Sequence, residues 1–427
     1  MSPLAAPIAF SIVAASRDLA RPSAAAERHL VASLLAMTFL LWIGGSAIVP
    51  LLPTYLHGHG ASTGLVGVVM ASYFALSVVT QYPAGRLTDR IGSRPVIVVG
   101  LVIFVAGSVG FALQSGAFPA IAYRSAQGIG AGAASVASAA MVAAYVDPTR
   151  RGRAFALLYG SQSLALAVGP LAGGFVGASS MKVLFFGAAA LACLAAVPIL
   201  TSLPTPGRRR IPAEREARVP SALATQQSSR TYSRALLGAL LVFAGAGLLG
   251  GLYESVWSLL LASRGATSVE IGLSWTVYCL PFALLSAPAG KLADRRSRKV
   301  LVVVGTMTSA LFALWYPEIA RVGFLVALGC LDAVGGVLVT PAALSILAEW
   351  TPTDRHGAAQ GALATARTAA TAVAAAGCGA LFGVSRALPF AAVAFFLVIL
   401  GMVALLVWRE LPSRVDATAT LHAPAPL

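Results

Sequence analysis

Charge is scarce in this chain, and acidic charge is scarcest. Of 427 residues only 15 are Asp or Glu and 30 are Lys or Arg, so charged side chains make up 11%. An ordinary soluble domain carries roughly a quarter, and a soluble chain of this length would lack the polar surface to cover itself. Disorder is excluded for the opposite reason: 58% of the residues are hydrophobic, and disorder requires few apolar side chains. Cysteine is also sparse. Cys193, Cys279, Cys330 and Cys378 all fall in apolar stretches without metal-ligand spacing, so neither a disulfide framework nor a metal centre is expected. No phosphate-binding loop of the Walker type is present, which argues against ATP as the energy source. No nucleophile–base pair is visible either; an enzyme is not expected and no cofactor is implied. What remains is a polytopic membrane protein.

A membrane-spanning helix needs about 20 mainly apolar residues. Twelve such runs follow one another, at 30–52, 64–84, 95–114, 119–144, 153–177, 182–202, 236–262, 268–289, 299–317, 322–347, 357–383 and 387–408. The net charge of +15 does not mark a nucleic-acid binder, because the basic residues sit in short blocks between these runs. Their distribution sets an orientation, since Lys and Arg are retained on the cytoplasmic side. Lys182, Arg264, Arg321 and Arg386 fall in one set of loops, and Arg124 and Arg367 fall inside spans. The other 24 of the 30 lie in the tails and the opposite loops. Both termini are therefore expected in the cytoplasm of a cell-membrane protein. Pro3 to Ala15 is mildly apolar, but it is too short to span and has no basic region before it, so it reads as tail and not as a signal peptide.

The longest hydrophilic stretch lies at the centre, with Pro204, Pro206 and Arg208-Arg209-Arg210. It divides the chain into a tail (1–29), a six-helix bundle (30–202), a mobile linker (203–233), a second six-helix bundle (234–409) and a tail (410–427). A membrane-surface helix inside the linker stays open. The halves repeat one another. Pro83-Ala-Gly-Arg-Leu-Thr-Asp-Arg90 matches Pro288-Ala-Gly-Lys-Leu-Ala-Asp-Arg295, each read as the loop after a second helix. Pro148-Thr-Arg-Arg151 matches Pro352-Thr-Asp-Arg355 after a fourth helix. Duplicated halves with a site between them suit alternating access, in which one half rocks against the other.

These residues carry a family resemblance. Gly85-Arg-Leu-Thr-Asp89-Arg90-Ile-Gly92-Ser-Arg94 resembles the loop 2–3 signature of the major facilitator superfamily. Arg124-Ser-Ala-Gln127-Gly128-Ile-Gly130-Ala-Gly132 is similar to its helix 4 motif. Gly169-Pro170-Leu-Ala-Gly173-Gly174 resembles the helix 5 motif of its antiporters, and Ile48-Val-Pro50-Leu-Leu-Pro53-Thr-Tyr55 looks like its twelve-helix drug:proton antiporters. The resemblance covers nearly the whole chain. It implies the major facilitator fold, an all-α membrane protein of two pseudo-symmetric six-helix bundles.

The resemblance also implies roles. Gly85, Asp89, Arg90 and Arg94, with Gly290, Asp294 and Arg295 in the second half, are expected to form a conformational latch. Asp89 would dock near His356-Gly357 at the start of helix 11, and Asp294 near Arg151-Gly152-Arg153 at the start of helix 5. A helix N-terminus favours a carboxylate in each case. The glycines at 85 and 290 would allow close approach of helix ends. An arginine inside a span, such as Arg124, normally faces a bundle interior or a watery cavity; in the family such an arginine is linked to proton coupling. A coupled proton also needs an acid, and only Glu254 and Asp332 lie well inside spans. Asp332 is the first candidate, with Gly329, Gly335 and Gly336 expected to leave space around it. Glu254 is the second, inside Tyr253-Glu254-Ser-Val-Trp257, a patch suited to a cationic or aromatic ligand. Either acid alternatively pairs structurally with Arg124 or Arg367. Arg367 is read as a counter-ion for Asp332 or as a contact for an anionic substrate. Trp42, Tyr123, Gln127, Tyr253, Trp257, Tyr278 and Arg367 are candidates to line the substrate cavity. Gly169, Pro170, Gly173 and Gly174 are expected to make helix 5 pliable; the resemblance implies that helix 5 packs on helix 8 and that the motif seals the outer half against leak.

The expectation is a monomeric secondary transporter in the lipid bilayer, exporting drugs or other small amphipathic compounds in exchange for protons. A metabolite or sugar exporter stays open, as does an uptake symporter or facilitator. A transporter-like membrane receptor or lipid-handling protein would be a different class.

Overall fold

The structure, a computed structural model, describes residues 24–114, 116–147, 149–202, 222–351 and 356–411. Among these residues every regular element is helical, and twelve helices are long and apolar enough to cross a membrane. They are α1 (Ala24–Ile48), α2 (Thr63–Ile91), α3 (Ser93–Leu113), α4 (Ala117–Tyr145), α5 (Arg151–Val176) and α6 (Met181–Ser202). The second set is α7 (Ala222–Leu252), α8 (Ser268–Arg295), α9 (Arg298–Trp315), α10 (Val322–Trp350), α11 (His356–Val384) and α12 (Leu388–Val407). Large apolar side chains such as Val102, Phe186, Leu284, Phe395 and Leu406 project outward. That is the reverse of a soluble surface.

The packing repeats with a shift of six helices. In the first half α1 packs on α5 and α6, α2 on α4, and α3 on α4 and α6. In the second half α7 packs on α11 and α12, α8 on α10, and α9 on α10 and α12. The two largest pairings between the halves, α2 with α11 and α5 with α8, are themselves related by the same shift. The second helix of each half is capped alike. Ser62 Oγ accepts the Leu65 N–H at 3.2 Å, and Thr267 with Glu270 forms a reciprocal capping box.

Four expectations change. The 83–91 motif is not a loop but the last turns of α2, and its counterpart lies in α8. Helix formers such as Arg86, Leu87 and Arg90 carry α2 past its apolar stretch, and it stops at Gly92, whose φ of +90° suits glycine. The helix of the second half begins earlier than 234. Residues 222–233 hold no Pro or Gly, so α7 extends through them and the 203–233 linker ends at 221. Helix 1 does not run unbroken to 52. It stops at Ile48, before Pro50, and the short helix Leu52–Gly58 completes the crossing. Finally α7 continues through a π-helical turn, Tyr253–Trp257, into Ser258–Ser263. Residues 1–23, 203–221, 352–355 and 412–427, which hold most of both tails, the core of the linker and the Pro352–Arg355 match, lie outside the described residues.

Among the described residues the halves close at one end only. Away from the basic loops, a Cβ on Gly67 of α2 would stand 2.5 Å from the Ala375 carbonyl of α11, and Gly379 faces Gly67 as closely. There α5 meets α8: Thr276 Oγ1 donates to the Ala167 carbonyl at 2.7 Å. Pro170 lacks an N–H, which frees the Leu166 carbonyl four residues back. The Cys279 thiol of α8 reaches that carbonyl at 3.8 Å. At the basic end nothing lies within 4 Å of where Gly152, Gly290, Gly357 or Gly361 would carry a Cβ.

Candidate functional site

The closed end and the gap at the basic end leave a cavity between the halves. It holds about 450 Å³ including its open mouth, and its lining includes Trp42, Ser46, Tyr73, Phe74, Phe104, Arg124, Leu166 and Glu254. A second hollow of about 310 Å³ shares Leu41 and Trp42 with it and continues between α1, α4 and α5 past Ser138, Tyr159 and Gln162. Glu254 is the second half's contribution; the other lining residues come from the first half.

Arg124 is held in place from α2, α3 and α4. Its Nη1 donates to Gln127 Oε1 at 2.9 Å, Gln127 Nε2 donates to Ser108 Oγ at 2.8 Å, and Ser108 Oγ donates to the Phe104 carbonyl at 2.8 Å. The guanidinium also stands over the Tyr73 ring, 4.6 Å from its centroid, a cation–π contact. Arg124 and Gln127 are buried. This chain of bonds fixes one edge of the guanidinium and leaves Nε without a partner. Across the cavity Glu254 Oε2 is likewise buried and unpartnered. The two groups act on each other electrostatically but form no direct ion pair. Two incompletely satisfied opposite charges from opposite halves thus face one space, where the local dielectric is low and their attraction strong.

Asp332 sits elsewhere. It is fully buried inside the second half, where Ser309 Oγ donates to Oδ1 at 2.6 Å, and Tyr253 and Tyr316 donate to Oδ2, the latter at 3.2 Å. Neither arginine pairs with it. The glycines expected to open space around it are filled instead: Gly335 faces Thr308, Gly336 faces Phe282 and Gly329 faces Trp257. Small residues on this helix serve close packing. Tyr253 and Glu254 are neighbours within the π turn and point to different sides of it. Tyr253 turns into the Asp332 cluster and Glu254 into the cavity; π turns often mark such functional re-aiming.

Of the cavity candidates Trp42 lines the space, and Gln127 stands behind Arg124 as its support. Tyr123 packs against Gly110 of α3. Trp257 is buried, its Nε1 donating to Ser274 Oγ at 3.0 Å, with its ring edge-on to Tyr253 and Tyr316. Tyr253 and Trp257 are therefore packing residues in this conformation, because their polar tips find partners inside the bundle. Tyr278 is half-buried against Tyr253 and Phe282, and Arg367 is exposed.

The latch candidates are apart. Asp89 and Arg90 are exposed at the end of α2, Arg94 Nη2 donates to the Leu200 carbonyl of α6, and Arg295 is exposed. Gly85 meets only Val136 of α4, at an ordinary 3.7 Å, and Gly290 meets nothing, so neither makes a close approach with the basic end open. Arg151 is used locally, its Nε donating to the Val146 carbonyl at 3.0 Å. The Asp294 and His356 side chains lie outside the described residues. The helix 5 motif divides its work. Gly169 and Gly173 admit α1, where a Cβ would stand 2.0 Å from Ser46 Oγ or the Ala47 carbonyl. Pro170 and Gly174 admit α8 at Gly272 and Ser268.

Ser108, Ser309 and Tyr316, whose hydroxyls complete the two clusters, escaped the sequence reading. Tyr73 and Tyr278 stand 205 residues apart, as do Gln127 and Asp332, the offset of Asp89 and Asp294.

The family model described as Major Facilitator Superfamily matches residues 34–256 and 235–427. Tetracycline resistance protein, class B, of Escherichia coli is 28% identical over 336 residues, covering 77% of this chain and 82% of that protein. Multidrug resistance protein 2 of Bacillus subtilis is 26% identical over 404 residues, covering 92% and 98%. Among solved structures, a bacterial homologue of the human lysosomal transporter Spinster, inward-facing and unoccupied, has a TM-score of 0.74 at 14% identity, covering 91% of this chain and 98% of that one. Twelve spanning helices, a packing scheme that repeats after six, and a family match from residue 34 to 427 lead to one assignment: this chain is a transporter and belongs to the Major Facilitator Superfamily.

Proposed function

We propose that this transporter exports small amphipathic compounds in exchange for protons, with its basic end in the cytoplasm of the cell membrane. The observation that carries the reading is the pair Arg124 and Glu254, offered from opposite halves to one cavity with a buried atom unpartnered on each. A carboxylate in that position binds a proton when water retreats and releases it when the cavity opens or the arginine draws near. Rocking of the halves changes both conditions at once. Relatives named for resistance to tetracycline and to several drugs are in line with export. A single chain encloses the whole cavity, which supports a monomer as the working unit. The gradient supplies the work, about 1.4 kcal/mol per proton for each pH unit across the bilayer.

In this reading the conformation with the basic end open is inward-facing. The opposite state brings the α2 and α8 ends towards the starts of α11 and α5, where Asp89 and Asp294 act as the latch. The helix 5 motif seals the other end against leak while the basic end is open.

The test is efflux of a panel of amphipathic dyes from reconstituted vesicles with an imposed pH gradient. Wild type is expected to accelerate at least tenfold with the gradient and Asp332→Asn to keep that response. Glu254→Gln is expected to lose it, and Asp89→Asn to insert normally and transport little. Transport that ignores the gradient, or uncoupling by Asp332→Asn alone, overturns the coupling assignment.

A further inference from the structure

Besides Asp332, three ionisable groups stand deep in the spans: Arg124, Glu254 and Arg367. Two of them answer one another across the cavity. Among the described residues Arg367 has no such counterpart.

Arg367 lies eleven residues into α11, about 17 Å from the helix start at 1.5 Å per residue. Its side chain is exposed, while α11 itself packs on α2 of the first half and on α7. Tyr278 of α8 is the group that acts on it electrostatically. Among the described residues no hydrogen bond or ion pair engages its guanidinium. Asp332 is enclosed by three hydroxyls and Glu254 faces Arg124. Asp294 lies sixteen residues beyond Tyr278 on α8, about 24 Å along the helix.

An arginine stays charged under all working conditions, and a lone cation at this depth is expensive. The repeat sharpens the point. Tyr73 and Tyr278 are equivalent positions, and each stands by an arginine, Arg124 in the first half and Arg367 in the second. For Arg124 the chain supplies a carboxylate from the opposite half, Glu254. For Arg367 it supplies none among the described residues.

Resting on the reading of this cleft as the transport route, we propose that Arg367, with Tyr278 beside it, binds a carboxylate carried by the transported molecule, so that the substrates are amphipathic organic anions. The guanidinium fork matches a carboxylate with two parallel hydrogen bonds. Tyr278 and its ring neighbour Phe282 offer aromatic surface for the apolar part; Phe282 is 37% exposed. The patch at Tyr253 and Trp257, expected to suit a cation, is packed inward and offers none.

The test uses the purified full-length chain in detergent, without a gradient, and three probes that share a ring system: 2-naphthoate, 2-naphthamide and 2-naphthylmethylammonium. Wild type is expected to bind the carboxylate at least tenfold more tightly than the amide. Arg367→Gln is expected to bind both alike, and Arg367→Lys to keep part of the preference because charge remains while the fork is lost. Equal binding of all three probes by wild type, or an intact carboxylate preference in Arg367→Gln, overturns the proposal. If Arg367→Gln loses the amide as well, Arg367→Lys decides: retained carboxylate preference supports the subsite, and its absence overturns it. Gradient-independent efflux with this selectivity intact would remove only the proton-coupling reading.

Discussion

The two halves place a buried polar cluster at the same point of their repeat, and they treat it differently. Gln127 of α4 and Asp332 of α10 are 205 residues apart, and each bonds to a serine of the preceding helix, Ser108 or Ser309. In the second half the cluster closes on itself, with three hydroxyls donating to one carboxylate. In the first half it stays open, because Gln127 is the back support of an arginine whose Nε has no partner. A buried polar network that is fully satisfied rigidifies its surroundings, whereas an unsatisfied one holds free energy that a ligand or proton can release. The comparison teaches that depth and charge alone do not place an acid on a cavity: Asp332 has its bonds made inside the bundle, and Glu254 leaves one unmade on the cavity wall.

The largest expected effect follows from breaking the open cluster. Arg124→Gln removes the charge facing Glu254, and gradient-driven efflux in vesicles is expected to fall at least a hundredfold while the protein inserts and stays monodisperse. A variant that transports normally would erase the distinction between the clusters. Breaking the closed cluster is expected to act on stability instead. Asp332→Asn turns an acceptor of three donors into a group with one oxygen, at about 1–3 kcal/mol. The melting temperature in detergent should drop while the response to the gradient survives. The smallest and most discriminating effects come from the two serines. Ser309→Ala takes away one of three donors and should cost about 1 kcal/mol with transport intact. Ser108→Ala should cost a similar amount but slow transport severalfold, because Gln127 no longer holds Arg124 in place. Equal behaviour of the two variants in both assays would argue that the clusters are equivalent after all.

Much of the site was legible as residue type and little of it as geometry. Arg124, Glu254, Asp332 and Arg367 stand out because an ionisable group inside an apolar run needs a reason. Their partners did not stand out. Placing Asp332 before Glu254 relied on glycines as signs of open space, and in a packed helix bundle glycines admit the neighbour. Tyr253 and Trp257 carry the polar tips of a binding patch, yet their hydroxyl and indole N–H are spent on Asp332 and Ser274. The π turn that holds Tyr253 and Glu254 leaves no mark in composition or periodicity. The 205-residue offset relating Tyr73 to Tyr278 was readable all along, and it locates the partner of Arg124.

The amino-acid sequence by itself determined the class, the twelve spans, the internal repeat and the identity of the few charges inside the bundle. Each of these follows from local composition, since a span must be apolar over its own length and a buried charge is visible where it stands. Tertiary structure alone decided which end is closed, which acid meets the cavity and which arginine goes without a partner. Those outcomes depend on rotations about helix axes and on distances between helices far apart in the chain, and a shift of one residue in a turn is enough to exchange cavity for core.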